Sequence, residues 1–426
     1  MAFSKTEYKV KCLSCGGELS DEGYPLGCPH CDKPGFIQAD YGKKQIEFGS
    51  EEMGLYRFAD WLPVKHTLEG SGAPITYKSE ALAKELGLTD LWITFNGWWP
   101  EKGARMKTGA FKECEAYAVC GRMGDDWKDT LVVASAGNTA RAFARVCSDN
   151  NIPLVLCVPE DNIDALWFDK PLNDCVKLYC TESGSDYFDA IALSGKVCAL
   201  DGFAPEGGAK NIARRDGMAT TVLSCAEAMQ AIPEYYFQAV GSGTGAIAAW
   251  EAMNRLIEDG RFGSNKMKLL VSQNTPFLPI YDSWKRGGRD FIELDGDTAR
   301  EQAEAVVGKV LTNRKPPYSL TGGLYDALVD TEGDVIAVSN EEASQAGALF
   351  KELEGNDVSP AASVAVASLI QAVEAGTVPK DGRIMLNITG GGMERFMSEH
   401  EMFFLQPTHV FSKEPSQEEV AEVLKA

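Results

Sequence analysis

Histidine is scarce in this 426-residue chain. His30, His66, His400 and His409 are the whole supply, and none stands in a glycine-rich loop. That argues against a Ser-His-Asp or Cys-His hydrolase. Long apolar runs are missing too. Stretches such as Leu154 to Val158 fall far short of the ~18 residues that span a bilayer. The opening segment, MAFSKTEYKVK, lacks the apolar core of a signal peptide, so a cytoplasmic protein without a membrane partner is expected. Positive charge is in deficit: 41 Lys and Arg face 62 Asp and Glu, a net charge of −21. Broad nucleic-acid binding needs basic side chains to neutralise phosphates, so nucleic acid is excluded as a partner. Any site for small anions must gather cations against the overall field. No G-x-x-x-x-G-K-[ST] run for a nucleotide triphosphate is present either.

Twelve cysteines without a secretory signal do not suggest a disulfide framework. Eight are scattered (Cys114, Cys120, Cys147, Cys157, Cys175, Cys180, Cys198 and Cys225), and most of them read as small buried apolar residues. The other four form two knuckles, Cys12-x2-Cys15 and Cys28-x2-Cys31. Each knuckle can turn two thiolates to one side, and two knuckles complete a tetrahedron around Zn²⁺. His30 lies inside the second knuckle, aimed differently, and is not counted as a ligand. Four thiolates leave no open coordination position, so the zinc is expected to be structural and to supply folding free energy to a short segment.

Beyond Ala39 the pattern alternates. β-rich runs at Leu131 to Ala134, Leu154 to Val158, Val176 to Cys180, Tyr236 to Val240, Met267 to Ser272 and Ile384 to Ile388 are interleaved with helical stretches. Those lie at Thr139 to Ser148, Ile163 to Phe168, Tyr187 to Val197 and Gly245 to Glu258, and the tail after Phe396 is polar and peripheral. The order predicts α/β architecture, a parallel sheet covered by helices, with ligands on loops leaving the carboxyl ends of strands.

Four such loops carry chemistry. In Thr108-Gly-Ala-Phe-Lys112-Glu113 a lysine follows a glycine turn and enters an apolar helix. Burial there would lower its pKa and make the amine nucleophilic, whereas a lone lysine at a helix start is ordinarily solvated. Ser135-Ala136-Gly137-Asn138-Thr139 opens a helix after a strand. Its amides and Asn138 could bind ligand oxygens, or Asn138 could simply cap the helix. In Gly241-Ser242-Gly243-Thr244-Gly245 the glycines allow close approach and the helix N-terminus favours a phosphate. Ala246 breaks the dinucleotide pattern G-x-G-x-x-G, and a purely structural glycine turn is the alternative. Thr389-Gly390-Gly391-Gly392 follows a strand in the same way.

In this order the four loops resemble those of fold-type II pyridoxal-phosphate enzymes, threonine synthase in particular, from Tyr56 to Phe396. The resemblance implies that Lys112 joins the pyridoxal 5'-phosphate aldehyde as a Schiff base and that Asn138 bonds the ring oxygen. It implies that Gly241, Ser242, Gly243, Thr244 and Gly245 hold the phosphate and that Thr389 faces the pyridine nitrogen. Pro360-Ala361-Ala362-Ser363 is family-like, and some members carry a similar cysteine ribbon. The implied architecture is tryptophan synthase β-like, with two open parallel-sheet domains behind a zinc-ribbon-like segment. The ribbon takes 1–45, the large cofactor-binding domain 46–114 with 215–426, and the smaller α/β domain with the asparagine loop 115–214. Members of the family associate, so a homo-oligomer is expected.

Departures from the family pattern narrow the substrate. Lys107 replaces proline, Ala110 serine and Glu113 aspartate. With Val133 to Phe143, Glu206 to Gly217 and Phe237 to Gly245, the chain looks more like family members that exchange the phosphate of O-phospho-L-serine for sulfite, and the resemblance implies that reaction. L-cysteate would form by way of an aminoacrylate, as in coenzyme M biosynthesis. Threonine synthesis from O-phosphohomoserine and phosphoserine-dependent cysteine synthesis stay open, since the same cofactor residues serve all three. A zinc-ribbon adaptor with a degenerate α/β domain is the non-enzymatic alternative. Arg105, Lys107, Thr108, Ser135 and Arg141 flank the cofactor loops and are the substrate-binding candidates, ahead of Lys210, Arg214 and Arg215.

Overall fold

Side-chain alternation sorts the central strands onto two faces. In the computed structural model, which describes residues 6–124, 126–135 and 137–425, a six-stranded sheet runs in the order Asp334–Val338, Lys268–Asn274, Tyr235–Ala239, Ile384–Ile388, Leu91–Phe95, Ile75–Lys78. All neighbours are parallel except the edge strand Ile75–Lys78. Tyr236, Leu269, Val271 and Met385 share a core with Val222 and Leu223 of helix Ile212–Met229 and Ile247 and Ala248 of helix Thr244–Asp259. Phe237, Leu270, Leu386 and Ile388 share a second core with Phe350 of helix Asn340–Glu354 and Val364 and Leu369 of helix Pro360–Glu374. Both faces are covered, which is why these strands read as continuous apolar runs.

A second sheet, wholly parallel, has the order Phe203–Pro205, Thr130–Ala134, Leu154–Pro159, Val176–Thr181, His409–Phe411. Leu131, Val133, Leu156 and Leu178 pack with Phe143 of helix Asn138–Asp149. Val132, Val155, Cys157 and Tyr179 pack with Leu193 and Val197 of helix Tyr187–Cys198. The two sheets follow the proposed division into 46–114 with 215–426 and 115–214 except at the tail, where His409–Phe411 joins the second sheet.

The structure departs from the sequence reading in two places. The polar tail contains strand His409–Phe411, which extends the second sheet, and helix Gln417–Lys425, whose Val420 is buried in the same core. Its last residues therefore pack with the smaller unit, because Phe411 and Val420 bury against it while their neighbours stay polar. The stretch Ile163 to Phe168 is not a regular helix. A 3-10 turn, Glu160–Ala165, leads into Trp167–Phe168, which pairs antiparallel with Phe403–Phe404. The paired aromatics are worth more across a ladder than along one helix turn.

The N-terminal segment forms a three-stranded antiparallel sheet, Glu18–Leu19, Tyr8–Cys12 and Ile37–Tyr41. Val10, Phe36, Ile37 and Tyr41 are fully buried in the core that runs through the main body. Arg122 reaches from helix Lys112–Arg122 to Asp21 and the Pro25 carbonyl. Tyr41 donates to Asp216 at 2.6 Å. No helix among the described residues is long and apolar enough to cross a membrane.

Removing the Phe411 ring, 1% exposed, should cost about 3–5 kcal/mol if the tail strand is part of the core. Urea denaturation of Phe411→Ala tests this; a midpoint equal to that of the unaltered protein would make the tail an ornament.

Candidate active site

Strand order brings the loops together. The strand Tyr235–Ala239 has Lys268–Asn274, its successor in the chain, on one side and Ile384–Ile388 on the other. A crevice opens where successive connections leave in opposite directions, beyond the carboxyl ends of the strands. The glycine loop 241–245 and Thr389 flank it. The lysine loop is laced to Thr389 by backbone: Phe111 N–H donates to Thr389 C=O at 2.9 Å and Gly391 N–H to Gly109 C=O at 3.2 Å. Glycine is needed in the glycine loop because a Cβ on Gly245 would meet Gln238 at 2.6 Å and the Phe111 ring at 3.0 Å. Gln238 belongs to a buried polar chain that sequence reasoning missed: Asn387 donates to Tyr236 at 2.9 Å, and Asn96 to Asn387 at 3.0 Å.

Lys112 begins its helix with Nζ 3.1 Å from Glu115 Oε2, beside Met218 Sδ and the Phe111 ring. Burial pulls its pKa down; Glu115 opposes and the Arg214 charge assists. Glu115 is fully buried and shares Oε2 with Arg214 Nε at 3.1 Å. Arg214 Nη1 pairs with Glu206 Oε2 at 2.7 Å. The result is an alternating chain of charges: Lys112, Glu115, Arg214, Glu206. Burial also pushes the Glu206 carboxyl above its usual range. Glu115 could have been found by its position three residues after Lys112, on the same helical face.

Ser242 and Thr244 hydroxyls lie 2.7 Å apart at the N-terminus of helix Thr244–Asp259, where the first-turn amides have no intrahelical acceptors. That donor set suits a phosphate. Asn138 Oδ1 accepts from Arg141 Nη2 at 2.7 Å, leaving the amide NH₂ to face a ligand oxygen. The Asn138 side chain is therefore oriented by a guanidinium. Thr389 is buried beside the lysine loop. Ala136 lies outside the described residues. Glu115 Oε1 and Glu206 Oε1 are buried without hydrogen-bond partners among the described residues, as expected of a site built for a polar guest. A buried amine whose pKa burial lowers, a carboxamide, two hydroxyls at a helix start and a threonine together fit pyridoxal phosphate.

The substrate candidates part company. Arg141 is buried, its hydrogens directed to the Thr108 carbonyl (3.1 and 2.9 Å), the Ala165 carbonyl (2.8 Å) and Asn138, with its guanidinium carbon 4.0 Å from the centre of the Trp167 ring. Burial depresses it to about 9, the Glu113 charge opposing. It fixes the loops rather than reaching outward. Thr108 gives its N–H and hydroxyl to Glu113 Oε2 at 3.0 and 2.8 Å, so the longer acid closes this turn. Ser135 Oγ accepts from Gly137 N–H at 3.3 Å. Lys107 is half-exposed and pairs with Asp169 at 3.2 Å. Arg105 is exposed on strand Ala104–Arg105. Arg215 is fully buried against Glu251 at 3.1 Å. Of the cations ranked behind these, Arg214 joins the Lys112 cluster and Lys210 lines the adjoining cavity. That cavity, of about 820 Å³, is bounded by Ser242, Thr244, Arg214, Lys210, Lys315 and the ribbon residues Leu26, Gly27 and Phe36 among others.

On the ribbon, the four sulfurs of Cys12, Cys15, Cys28 and Cys31 lie within 4.8 Å of one another. Cys12 and Cys31 are 3.7 Å apart, Cys15 and Cys28 3.8 Å. A tetrahedron with Zn–S near ~2.3 Å has edges of about 3.8 Å, so the cluster already has the shape of a Zn²⁺ site. Gly17 and His30 amides donate to Cys15 and Cys28 sulfurs at 3.4 Å each, the second shell that thiolates need; the His30 ring is exposed and outside the cluster. Purified protein should carry one zinc per chain by elemental analysis, and Cys15→Ser with Cys28→Ser should lose both the metal and several degrees of Tm. Full stability without metal would make the cluster dispensable.

Comparison with known proteins gives the same direction. The family model described as pyridoxal-phosphate dependent enzyme matches residues 72–390. A cysteate synthase of Methanosarcina acetivorans is 50% identical over 399 residues, covering 93% of this chain and 95% of its own. That of Methanosarcina mazei is 47% identical over 415 residues, 97% and 99% of the two chains. Among solved structures, threonine deaminase isoform 2 of Solanum lycopersicum aligns with a TM-score of 0.59 at 17% identity, over 83% of this chain and 95% of that one. Serine racemase of Dictyostelium discoideum aligns at 0.54 and 15% identity, over 75% and 91%. Those two speak for the fold alone, a fold-type II α/β architecture. The chain belongs to the pyridoxal-phosphate-dependent enzyme family.

Proposed function

We propose that this protein is a cysteate synthase, replacing the phosphate of O-phospho-L-serine with sulfite to give L-cysteate and inorganic phosphate. The observation that carries the reading is near-complete alignment with cysteate synthases at 50% and 47% identity. A site rich in cations within a chain of net charge −21 supports it. The adaptor alternative falls with membership of an enzyme family. A cytoplasmic, homo-oligomeric enzyme acting on small anions completes the proposal.

Pyridoxal phosphate, when bound, supplies an electron sink for bonds at the substrate α-carbon. The chain's own residues do the rest. Lys112 Nζ, whose pKa burial lowers, would hold the cofactor and would serve as the base at the substrate α-carbon. Glu115 Oε2 holds a hydrogen of that amine and sets its direction. Asn138, turned by Arg141, would orient the cofactor's ring oxygen, and the loop 241–245 would hold its phosphate. Thr389 would offer the bound cofactor's ring a neutral hydroxyl rather than a carboxylate, which would favour loss of a β-substituent. Arg214 lies between the two carboxylates, pairing with Glu115 at 3.1 Å and Glu206 at 2.7 Å.

Two measurements test this reading. Holoenzyme given phosphoserine and sulfite should release phosphate and form cysteate, and phosphohomoserine alone should yield no threonine; the reverse pattern would replace the proposed reaction with threonine synthesis. The second concerns Lys112. Glu115 raises the pKa of its amine while burial and Arg214 lower it, so Glu115→Gln should lower it further. Cofactor capture, followed by borohydride trapping and peptide mapping to Lys112, should then proceed at lower pH than in the unaltered enzyme. An unchanged pH profile would take Glu115 out of the site, and label on any other lysine would displace Lys112.

A further inference from the structure

The cavity beside the Lys112 cluster has an unusual balance of charge. Its lining contains Lys210, Arg214 and Lys315 and no carboxylate, in a chain where acids outnumber bases 62 to 41. Arg214 is already neutralised by Glu115 and Glu206. Arg314, next to Lys315, is held by Asp186 at 2.8 Å. Lys210 and Lys315 are different: among the described residues neither ammonium has a carboxylate within ion-pair distance, and both are exposed. They approach the cavity from two directions, Lys210 from the turn Gly208–Lys210 that leads into Arg214, Lys315 from the segment after the turn Lys309–Leu311. The Lys315 ammonium stands 5.7 Å over the Phe188 ring, and Asn313 adds a neutral donor to the same wall. Through Arg214 and Glu115, the cavity abuts the Lys112 amine in steps of 3.1 Å.

We propose that Lys210 and Lys315 form a docking site for the incoming sulfite, separate from the donors that hold the cofactor phosphate, and that they set the enzyme's preference for an oxyanion nucleophile over water. This rests on the proposed reaction. An unpaired ammonium within reach of a small anion in a part-solvated cavity is worth about tenfold in affinity, and two such charges recover locally what the overall negative field takes away.

The test uses holoenzyme carrying Lys210→Ala, Lys315→Ala or both, beside Lys210→Arg and Lys315→Arg. Each alanine variant should raise KM for sulfite about tenfold, with KM for phosphoserine, cofactor content and visible spectrum unchanged. The arginine variants should restore sulfite KM to within about threefold. Inorganic sulfate should compete with sulfite in the unaltered enzyme and lose that effect in the double variant. A rise in phosphoserine KM would assign the lysines to the departing phosphate, and loss of cofactor would assign them to its phosphate; either overturns the proposal, as does an unchanged sulfite KM. Calorimetric titration of sulfite into each holoenzyme separates this site from the reaction. Binding that disappears in the double variant, in an enzyme that forms no cysteate, would leave the anion site standing and the reaction refuted. No binding to the unaltered enzyme would refute the site.

Discussion

A lysine amine taken out of water needs a carboxylate beside it to stay charged, and much of the polar architecture follows from that constraint. Lys112 cannot be buried alone, so Glu115 accompanies it. Glu115 is itself fully buried, so Arg214 accompanies Glu115, and Glu206 accompanies Arg214. The chain of alternating signs is near neutral as a whole, which limits the desolvation cost, yet removal of any one member would strand a charge in a low-dielectric interior. The same arrangement leaves the amine tunable. Its tendency to shed a proton is a contest between burial and one carboxylate 3.1 Å away.

The asparagine loop and the lysine loop come from different sheets, and a single side chain spans them. Arg141 rises from the helix that follows Thr130–Ala134 and grips the Thr108 carbonyl while steadying Asn138. Glu113 works on the other side of that turn, holding the N–H and hydroxyl of Thr108. These two residues account for a departure from the family pattern. An acid one methylene longer than aspartate reaches back to cap the loop, and the carbonyl left outside is met by a guanidinium over the Trp167 ring.

The parallel strands were legible because both of their faces are apolar: Leu154 to Val158 and Ile384 to Ile388 read as strands in the bare sequence and lie as strands in the fold. So did the existence of the four loops, since glycines after apolar runs have few other uses. What was not legible is what depends on pairing at a distance. Trp167–Phe168 looked helical because its partner, Phe403–Phe404, lies far along the chain. His409–Phe411 was hidden among polar neighbours, with one buried ring to betray it. Among the cations, proximity to the lysine loop was a poor guide. Arg105 and Lys107 adjoin that loop but face solvent or Asp169, whereas Arg214 arrives from helix Ile212–Met229, one hundred residues away, in the stretch Glu206 to Gly217. Charge in a sequence has a sign and no address until the fold supplies one.

The ribbon bears on more than its own stability. Leu26 presses so closely on the turn at Gly207 that a Cβ there would lie 2.4 Å from it. Asn211, which starts the helix bearing Arg214, donates to the Tyr24 hydroxyl and accepts from Arg122, which also holds Asp21. Residues 6–41 are thus masonry of the cavity wall and not a porch before it. A chain shortened by discarding them would open one side of that cavity.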